Sequence, residues 1–344
     1  MLLIFCRTFT GFSGGVQIFN RELENLLAEN RILFRTASAP VWTESFPILN
    51  YIARLYNALA YCFVKRNQSI SILVQYSGFL DVCVLPFLAL TSKKIYMIAH
   101  VGEQLKHLRS PFLRKLTQLF LRCFVYRLLL LSDNQTDLFR HPASRKIHTI
   151  INKAYANNVE RKPMRQGNYL LYLGRICVEK GISDLVTAYS FVKTRQKEFP
   201  PMRIIGPGED RYLNQLEKEI KRLGLSSYVI LEEPVYDIAN KIRLLSEAIL
   251  VVYPSHADAF PLTVIESIAC GTPCLATDIS ETGNFIACTD YLFTPKNINE
   301  LSEKLEKLYK EGFYHEQVME TLIKKARLYA HGRIIDDLRD IGII

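Results

Sequence analysis

Short apolar stretches of four to seven residues alternate with stretches of helical periodicity along this chain. This alternation is typical of βαβ units, in which parallel strands are joined by helices that cover the sheet. It occurs as two successive series, one from Leu2 to Ile150 and one that begins near Tyr169. The first series includes strands predicted over 2–5 and 147–150, and the second includes a strand predicted over 274–277. We therefore expect an α/β protein made of two doubly wound, Rossmann-like domains that face each other across a cleft.

A polar segment separates the two series. Residues 152–168 contain neither a strand-like apolar run nor helical periodicity. We therefore interpret them as a linker between a first domain, 1–151, and a second domain, 169–331. A length of 344 residues suits two domains better than one core. The last segment, 332–344, has apolar residues at helical spacing, and we expect it to pack back on the first domain.

Positive charge is concentrated in the first series. The chain has a net charge of +9, and residues 1–150 contain 18 Lys and Arg against 8 Asp and Glu. A helix predicted over 111–127 has one apolar face and one basic face, with Arg127 on its apolar side. Such a helix can lie on anionic lipid, or it can be a core helix with a solvated back, and the residues leave both interpretations open.

Several classes of protein do not fit the sequence. No apolar run reaches the ~18 residues of a transmembrane helix, and the start of the chain lacks the features of a signal peptide, so we expect a cytoplasmic location. The eight Cys lie mostly in apolar runs and are expected to be reduced. We expect no metal site, because no ligand-type residues have metal-site spacing. Nucleic-acid binding by the basic half is a less favoured alternative, because no known motif supports it.

The densest chemical signal follows a strand predicted over 249–253. Residues 258–266 read Asp-Ala-Phe-Pro-Leu-Thr-Val-Ile-Glu and open a helix that stops at a Gly-Thr-Pro sequence. Pro261 places residues 260–264 at the start of this helix, where free N–H groups and the helix dipole can hold an anion. Asp258 precedes the helix and Glu266 lies one turn into it, so both acids can border one ligand.

A second cluster follows the strand predicted over 169–173. Gly174-Arg175 and Lys180-Gly181 lie in a loop before a helix, for which Ser183 is the expected N-cap. Two cations on a glycine-containing loop suit two phosphates. When the residues are considered alone, a solvated basic loop is the favoured interpretation.

The first domain has two weaker signals. Gly14 and Gly15 stand after the strand 2–5 and open a helix, so their N–H groups can approach an anion, although the residues considered alone favour an ordinary loop. His100 directly follows the strand predicted over 95–99, which places it at the carboxyl edge of the sheet.

Together these motifs resemble retaining glycosyltransferases of family 4, which have the GT-B fold. The family pattern is an acid, seven residues and a glutamate, followed by A-C-G-x-P-V-V-A-T-D. Here it corresponds to Asp258–Glu266 followed by Ala-Cys-Gly-Thr-Pro-Cys-Leu-Ala-Thr-Asp over 269–278. The chain departs from the pattern in having Asp258 where the family usually has Glu, and Pro261 where it often has Gly.

The resemblance implies roles for these residues. Catalysis is assigned to four side chains, which stabilise the leaving diphosphate or hold the donor sugar: His100, Asp258, Arg175 and Lys180. Binding of the nucleotide-sugar donor is assigned to Gly14, Gly15, Arg175, Lys180, Ala259, Phe260, Pro261, Leu262 and Glu266. Within this set Glu266 is expected to accept hydrogen bonds from the ribose hydroxyls.

The resemblance also implies a reaction. We expect metal-independent, retaining transfer of a hexose from a nucleotide-diphosphate sugar, with no further cofactor, to a lipid-linked or oligosaccharide acceptor. The lipid-linked acceptor and a peripheral position on the cytoplasmic face of the membrane are expected from the basic first domain and its helix over 111–127, and assembly of O-antigen, capsule or another surface polysaccharide fits them. The alternative is a catalytically inert, membrane-associated scaffold with the same fold, but the chemically competent Arg175, Lys180, Asp258 and Glu266 argue against it.

Overall fold

The structure is a computed structural model that describes residues 1–6, 15–37, 47–100, 106–157, 168–258, 261–279, 281–330 and 332–344. The chain forms two compact units. The first unit consists of Met1–Ile150 together with Gly332–Ile344, and the second consists of Ile151–His331. Each unit contains a six-stranded sheet in which all the paired strands are parallel, as the alternation of apolar and helical stretches predicts.

The first sheet has the strand order β2-β1-β3-β4-β5-β6. Its apolar strands are buried because helices cover the sheet. In chain order the elements are β1 (Leu2–Phe5), α1 (Gly15–Glu29), β2 (Phe34–Thr36), α2 (Pro47–Val64), β3 (Ser71–Tyr76), α3 (Phe79–Cys83), α4 (Leu85–Ala89), β4 (Lys94–Ala99), α5 (Lys106–Arg109), α6 (Pro111–Phe124), β5 (Arg127–Leu130), α7 (Asn134–Phe139) and β6 (Ser144–Lys146).

The second sheet has the strand order β12-β11-β10-β7-β8-β9. Its strands and the helices around them form one continuous apolar core. The elements are α8 (Lys153–Asn157), β7 (Leu170–Leu173), α9 (Ile182–Arg195), β8 (Met202–Ile205), α10 (Asp210–Arg222), β9 (Val229–Glu232), α11 (Ile238–Glu247), β10 (Leu250–Tyr253), α12 (Leu262–Ala269), β11 (Cys274–Thr277), α13 (Glu281–Ile286), β12 (Leu292–Phe293), α14 (Ile298–Glu311) and α15 (Glu316–Ala330).

A last helix, α16 (Arg333–Asp340), belongs to the first unit. Its apolar stripe, which includes Ile335 and Leu338, is buried. The Oδ2 atom of Asp337 accepts a hydrogen bond of 2.7 Å from the backbone N–H of His148. Apolar burial and this hydrogen bond therefore hold the end of the chain against the first unit.

Two details of the first unit differ from the expectations. Arg127 is the first residue of strand β5 and not part of helix α6, which ends at Phe124 before an extended Val125. The strand predicted over 147–150 is wrong, because β6 pairs with β5 through residues 144–146 instead. Both shifts arise because an apolar run alone does not locate the end of an element.

Two further differences concern the start of the second unit. Residues 153–157, within the expected linker, form α8, in which Tyr155 and Ala156 are buried in the core of the second unit. The residue that caps α9 is Gly181 and not Ser183, whose hydroxyl donates to Glu219 instead. A glycine suits the cap because its φ is +65°.

Candidate functional site

The loops that follow β7 and β10 meet at the centre of the second sheet. The two strands are neighbours in space, although β8 and β9 come between them in the chain. Such a change of direction in strand order leaves a crevice at the carboxyl ends of the strands, where open α/β sheets bind ligands. The loop after β7 carries Arg175 and Lys180, and the loop after β10 carries Asp258. The topology therefore brings together three residues that the sequence singled out.

Lys180 and Asp258 form an ion pair in this crevice. The Nζ atom of Lys180 lies 2.5 Å from Oδ2 of Asp258, and the two side chains are 13% and 22% exposed. A pair this far removed from water is screened less than a surface pair. The side chain of Arg175 is exposed, and no carboxylate in the described part of the chain forms a salt bridge with it. Arg175 can therefore receive an anion without breaking an existing ion pair.

Tyr253, the last residue of β10, joins this pair and was not singled out from the sequence. Its hydroxyl donates to Oδ2 of Asp258 and accepts a hydrogen bond of 3.1 Å from Nζ of Lys180. Burial raises the pKa of Tyr253 well above its ordinary value, so the phenol stays protonated and can donate. The signal in the sequence is a tyrosine at the carboxyl end of an otherwise aliphatic strand.

A second tyrosine supports the loop after β7. The buried hydroxyl of Tyr172 donates to the backbone carbonyl of Arg175 at 2.6 Å. This contact fixes the backbone at Arg175 while leaving its guanidinium in solvent. The next loop along the sheet is also packed closely, because a Cβ on Gly206 would lie 1.8 Å from the carbonyl oxygen of Gly174. This close approach shows that Gly206 shapes the turn that follows β8.

Gly181 and His256 connect the two loops of the crevice. A Cβ on Gly181 would lie 2.1 Å from the carbonyl oxygen of Pro254, so only glycine fits this close approach. The backbone N–H of His256 donates to the carbonyl of Glu179 at 2.9 Å, and its Nε2 lies 2.7 Å from Oδ2 of Asp184. Lys180 lies on one of these loops and Asp258 on the other, and the contacts of Gly181 and His256 hold the two loops together.

Helix α12 supplies the remaining part of the site that the sequence indicates. Pro261 precedes the helix and Leu262 begins it, so the first turn presents its N–H groups at the crevice edge of the sheet. The hydroxyl of Thr263 donates to the carbonyl of Leu173 at 3.3 Å and ties the helix to the end of β7. Glu266 lies one turn into the helix and is 9% exposed. Ala259 and Phe260 lie outside the described residues.

His100 lies in the first unit, at the carboxyl end of β4 as expected. Its Nε2 lies 2.5 Å from Oε1 of the buried Gln75, and its ring packs against the edge of Phe19 with the ring centroids 4.6 Å apart. Desolvation lowers the pKa of His100 to about 3, so its imidazole is neutral at physiological pH. Gly15 begins α1 in the same unit, whereas Gly14 lies outside the described residues.

Comparison with known proteins identifies the family. The sequence profile described as "Glycosyl transferases group 1" matches residues 157–329, half of the chain. The chain belongs to this family. The match covers almost all of the second unit, including β7, α12 and the crevice between their loops.

Curated relatives of this group 1 chain match it over a similar region. It is 26% identical over 160 residues to the serotype-specific mannosyltransferase WbdA of Escherichia coli, and the match covers 46% of this chain and 20% of that protein. It is 32% identical over 117 residues to the mannosylfructose-phosphate synthase of Agrobacterium fabrum, over 33% of this chain and 26% of that protein. The chain thus spans about a fifth to a quarter of these relatives.

Solved structures resemble the group 1 chain over its whole length. HepE of Anabaena, crystallised with UDP and glucose, has a TM-score of 0.71 at 15% identity and covers 99% of this chain and 98% of its own. The sucrose-phosphate synthase of Thermosynechococcus elongatus has a TM-score of 0.74 at 17% identity, with the same coverage. These similarities confirm the GT-B fold, with its two Rossmann-like domains.

The described residues of the group 1 chain form neither a metal site nor a membrane-spanning helix. No three of their His, Cys, Asp and Glu side chains are grouped as a metal would require. None of their helices combines the length and the apolar character needed to cross a membrane.

Proposed function

We propose that the chain transfers a hexose from a nucleotide-diphosphate sugar to a hydroxyl of a lipid-linked glycan, with retention and without a metal ion. The observation that carries this proposal is the crevice of the second unit, where the exposed Arg175 and the paired Lys180 stand beside the start of α12. Two cations and free helix N–H groups suit a diphosphate. The carboxylates of Asp258 and Glu266 suit sugar hydroxyls on either side of it.

The charges of these groups account for the chemistry. In the reaction the bond between the anomeric carbon and the diphosphate oxygen breaks, and negative charge develops on the leaving oxygen. Arg175, Lys180 and the N–H groups of α12 are already oriented in the folded chain and stabilise this charge as it forms. The acceptor oxygen bonds to the anomeric carbon on the same face, and its proton passes to the departing phosphate.

Because Asp258 is paired with Lys180, binding of a diphosphate near Lys180 also affects the carboxylate of Asp258. A phosphate near Lys180 competes with Asp258 for the same ammonium group, which lies 2.5 Å from the carboxylate. The carboxylate can then accept hydrogen bonds from the donor sugar while Tyr253 keeps it in place. The neutral His100 acts by hydrogen bonding to the sugar and not by carrying a charge.

The surface of the first unit supports a membrane-linked acceptor. Helix α6 exposes Phe112 and Leu119, at 74% and 54%, on the same side as Lys115 and Arg122. The buried side chains of α6 are Thr117 and Leu121, and Phe120 packs against the core of the first unit, so Phe112 and Leu119 lie on the solvent side of the helix. An exposed face that mixes apolar and basic residues can lie in the headgroup region of an anionic bilayer. A peripheral position at such a surface gives access to lipid-linked glycans.

A second exposed apolar stripe occurs on α2. Ile48, Ile52 and Tyr56, four residues apart along the helix, are 69%, 55% and 71% exposed. Helix α4 contacts both α2 and α6, so the three helices form one layer of the first unit. This layer belongs to the part of the chain that carries the excess of Lys and Arg.

Two similar proteins support the choice of substrate class. WbdA is a mannosyltransferase, and HepE was crystallised with UDP and with UDP-glucose. A nucleotide-sugar donor fits both the crevice and these similarities.

The test is a thermal-shift panel of UDP, GDP, ADP and CDP in the presence of EDTA. One nucleotide is expected to stabilise the chain, by ~2.7 kcal/mol when it is a hundredfold above its dissociation constant. The shift should be lost in Lys180→Ala and Glu266→Ala and kept in Lys218→Ala, which removes an exposed lysine of α10 in the same unit. An equal shift in Lys180→Ala and wild type, or no shift with any nucleotide, would contradict the proposal.

A further inference from the structure

The amide side chain of Gln75 is completely buried in the first unit. The residue is 0% exposed and is the fifth of the six residues of β3, directly after the apolar Ile72, Leu73 and Val74. Burying an amide costs free energy unless its polar atoms are hydrogen-bonded. The contacts of the two amide atoms therefore show whether Gln75 is an ordinary core residue.

One of these atoms contacts His100. Oε1 of Gln75 lies 2.5 Å from Nε2 of His100, which directly follows the neighbouring strand β4. Because a carbonyl oxygen only accepts, Nε2 of the imidazole carries the proton and Nδ1 has the lone pair. The amide nitrogen of Gln75 has no hydrogen-bond partner in the described part of the chain. Its contact with His100 is thus the one hydrogen bond that this amide forms among the described residues.

Packing alone does not explain a buried amide with one unpartnered atom. A leucine or methionine has a similar size and leaves no polar atom unsatisfied in the core. Exchanging the oxygen and nitrogen of the amide would not remove the cost, because the carbonyl would then be the group without a partner. The presence of glutamine at position 75 is explained instead by what its remaining hydrogen bond does to His100.

Three contacts hold His100 in one orientation. Its backbone N–H donates to the carbonyl of Tyr76 at 3.0 Å, which extends the pairing of β3 and β4 by one residue. Its ring packs edge-on against the buried Phe19, with the ring centroids 4.6 Å apart. The third contact is the hydrogen bond to Gln75. Of the three, this is the contact that distinguishes one nitrogen of the ring from the other.

The second ring nitrogen of His100 is open to a ligand. Nδ1 has no hydrogen-bond partner among the described residues, and unlike the amide nitrogen of Gln75 it is not shut off from solvent. The residue as a whole is half-buried. Nδ1 therefore presents a lone pair at the carboxyl end of β4, where it can accept a hydrogen bond.

We propose that Gln75 is a positioning residue for sugar transfer, because it keeps Nε2 of His100 protonated and so directs the lone pair of Nδ1 to a hydroxyl of the donor sugar. The inference rests on the proposed function, from which the contact between His100 and the sugar is taken. In this tautomer the sugar hydroxyl must donate, whereas the opposite tautomer would require it to accept. The acceptor is fixed before the donor binds, so no reorganisation is needed during the reaction.

The test is nitrogen NMR of the full chain with isotope-labelled histidine, in which the shifts of the two ring nitrogens report the tautomer. His100→Asn identifies the signals of His100 among the seven histidines. At pH 7 the wild-type signals should show Nε2 protonated and Nδ1 unprotonated. Gln75→Leu should weaken the signal of the Nε2–H tautomer and give rise to that of the Nδ1–H tautomer, because a buried N–H group has lost its acceptor.

Gln118→Leu is the matched control. It removes another glutamine of the first unit, whose amide donates to the carbonyl of Leu138 at 2.8 Å, and it should leave the signals of His100 unchanged. The thermal shift with the stabilising nucleotide should be the same in both variants as in wild type, which shows that they are folded and that the second unit is intact.

Release of nucleotide from UDP-glucose, GDP-mannose and ADP-glucose, with water as the acceptor, measures the effect on the reaction. The water oxygen bonds to the anomeric carbon, the diphosphate leaves with the electron pair of the broken bond, and the proton of water passes to the phosphate. Gln75→Leu should lower kcat about tenfold or more without changing the affinity for free nucleotide, because the sugar contact depends on the orientation of His100. Gln118→Leu should keep the wild-type kcat.

Three results would overturn the inference: a protonated Nδ1 in wild type, the wild-type tautomer retained in Gln75→Leu, or an unchanged kcat in that variant. Failure of wild type to release nucleotide from all three donors would reject the proposed function. The tautomers of wild type and Gln75→Leu would still decide whether Gln75 positions the ring of His100.

Discussion

The ammonium group of Lys180 and the carboxylate of Asp258, 78 positions apart in the chain, lie 2.5 Å from each other. They meet because β7 and β10 are adjacent in the second sheet and their following loops are joined at Gly181 and His256. The cation expected to bind phosphate and the acid expected to bind sugar are therefore one electrostatic unit. Its strength can be measured without any substrate.

A double-mutant cycle on this pair tests the coupling. Lys180→Met and Asp258→Asn should each lower the free energy of unfolding by ~1–3 kcal/mol, because each leaves a partly buried charge without its partner. The double variant should lose less than the sum of the two by ~1 kcal/mol or more. Urea denaturation provides the measurement. Strict additivity of the two changes would show that the two side chains are not coupled.

Replacing Gly181 by alanine should separate the two loops of the crevice. The new Cβ would lie 2.1 Å from the carbonyl oxygen of Pro254, so the backbone must move in addition to adopting a φ that alanine disfavours. Gly224→Ala is the matched control, because Gly224 has a similar φ of +68° and no atom within 4 Å of its added Cβ. The control should lose ~1 kcal/mol of stability, and Gly181→Ala clearly more.

The same two variants separate stability from binding. Gly181→Ala should weaken nucleotide binding, since Lys180 and Asp258 both depend on the joined loops, whereas Gly224→Ala should bind as wild type does. Thermal denaturation with and without nucleotide measures both quantities. Equal losses in the two glycine variants would mean that the close approach at Pro254 is unimportant.

His100 should make the chain sensitive to acid. Burial lowers its folded pKa to about 3, below the ~6.5 of an unfolded histidine, so between these values the unfolded chain binds the extra proton. The contribution of neutral His100 to the free energy of unfolding is therefore fully present above pH 6.5, and it is lost as the pH falls toward 3. Between pH 7 and pH 5 the loss should be ~2 kcal/mol.

His100→Asn removes this titration while keeping a side chain that can hydrogen-bond to Gln75. Urea denaturation of wild type and variant at pH 7 and pH 5 isolates the contribution, because all other titrating groups are common to both. Wild type should lose ~2 kcal/mol more than the variant over this interval. Parallel losses in the two proteins would show that His100 is protonated in the folded chain near its ordinary pKa.

The exposed side of α6 should bind anionic vesicles. Sedimentation with phosphatidylglycerol vesicles should retain wild type, with less retention at high salt, because each Lys or Arg near the surface contributes ~1 kcal/mol that ions screen. Phe112→Ser combined with Leu119→Ser should reduce retention about tenfold or more, since two exposed apolar side chains no longer enter the interface.

Leu328→Ser is the control for this experiment, because Leu328 is also exposed, at 44%, but belongs to the second unit. It should leave vesicle binding unchanged. Equal retention of wild type and the α6 double variant would place any membrane contact elsewhere.

The fold was predicted well from the sequence because short apolar runs, which mark the strands, and helical periodicity are both strong in this chain. Strands such as Leu2–Phe5 and Cys274–Thr277 are observed with the predicted bounds, since buried parallel strands are short apolar runs. The prediction of secondary structure failed in two places. The apolar residues 147–150 are not a strand, because β5 pairs with 144–146. The five-residue helix at Lys153–Asn157 is too short to show a period.

The candidate site was predictable in part for a related reason. Arg175, Lys180, Asp258 and Glu266 stand in recognisable motifs, and the topology brings their elements to one sheet edge. Tyr253 could not be found in this way. Its hydroxyl matters through a contact with Asp258 that exists only after folding, and a buried aromatic residue at a strand end is ordinarily a core residue.

The position of α16 affects how the chain folds as it is made. The first unit is assembled from two separate segments, Met1–Ile150 and Gly332–Ile344, whereas the second is continuous from Ile151 to His331. A ribosome therefore releases every residue of the second unit before it releases the helix that completes the first. Until then the apolar surface that Ile335 and Leu338 cover remains open to water. The unit whose synthesis begins first is thus the last that can reach its native state.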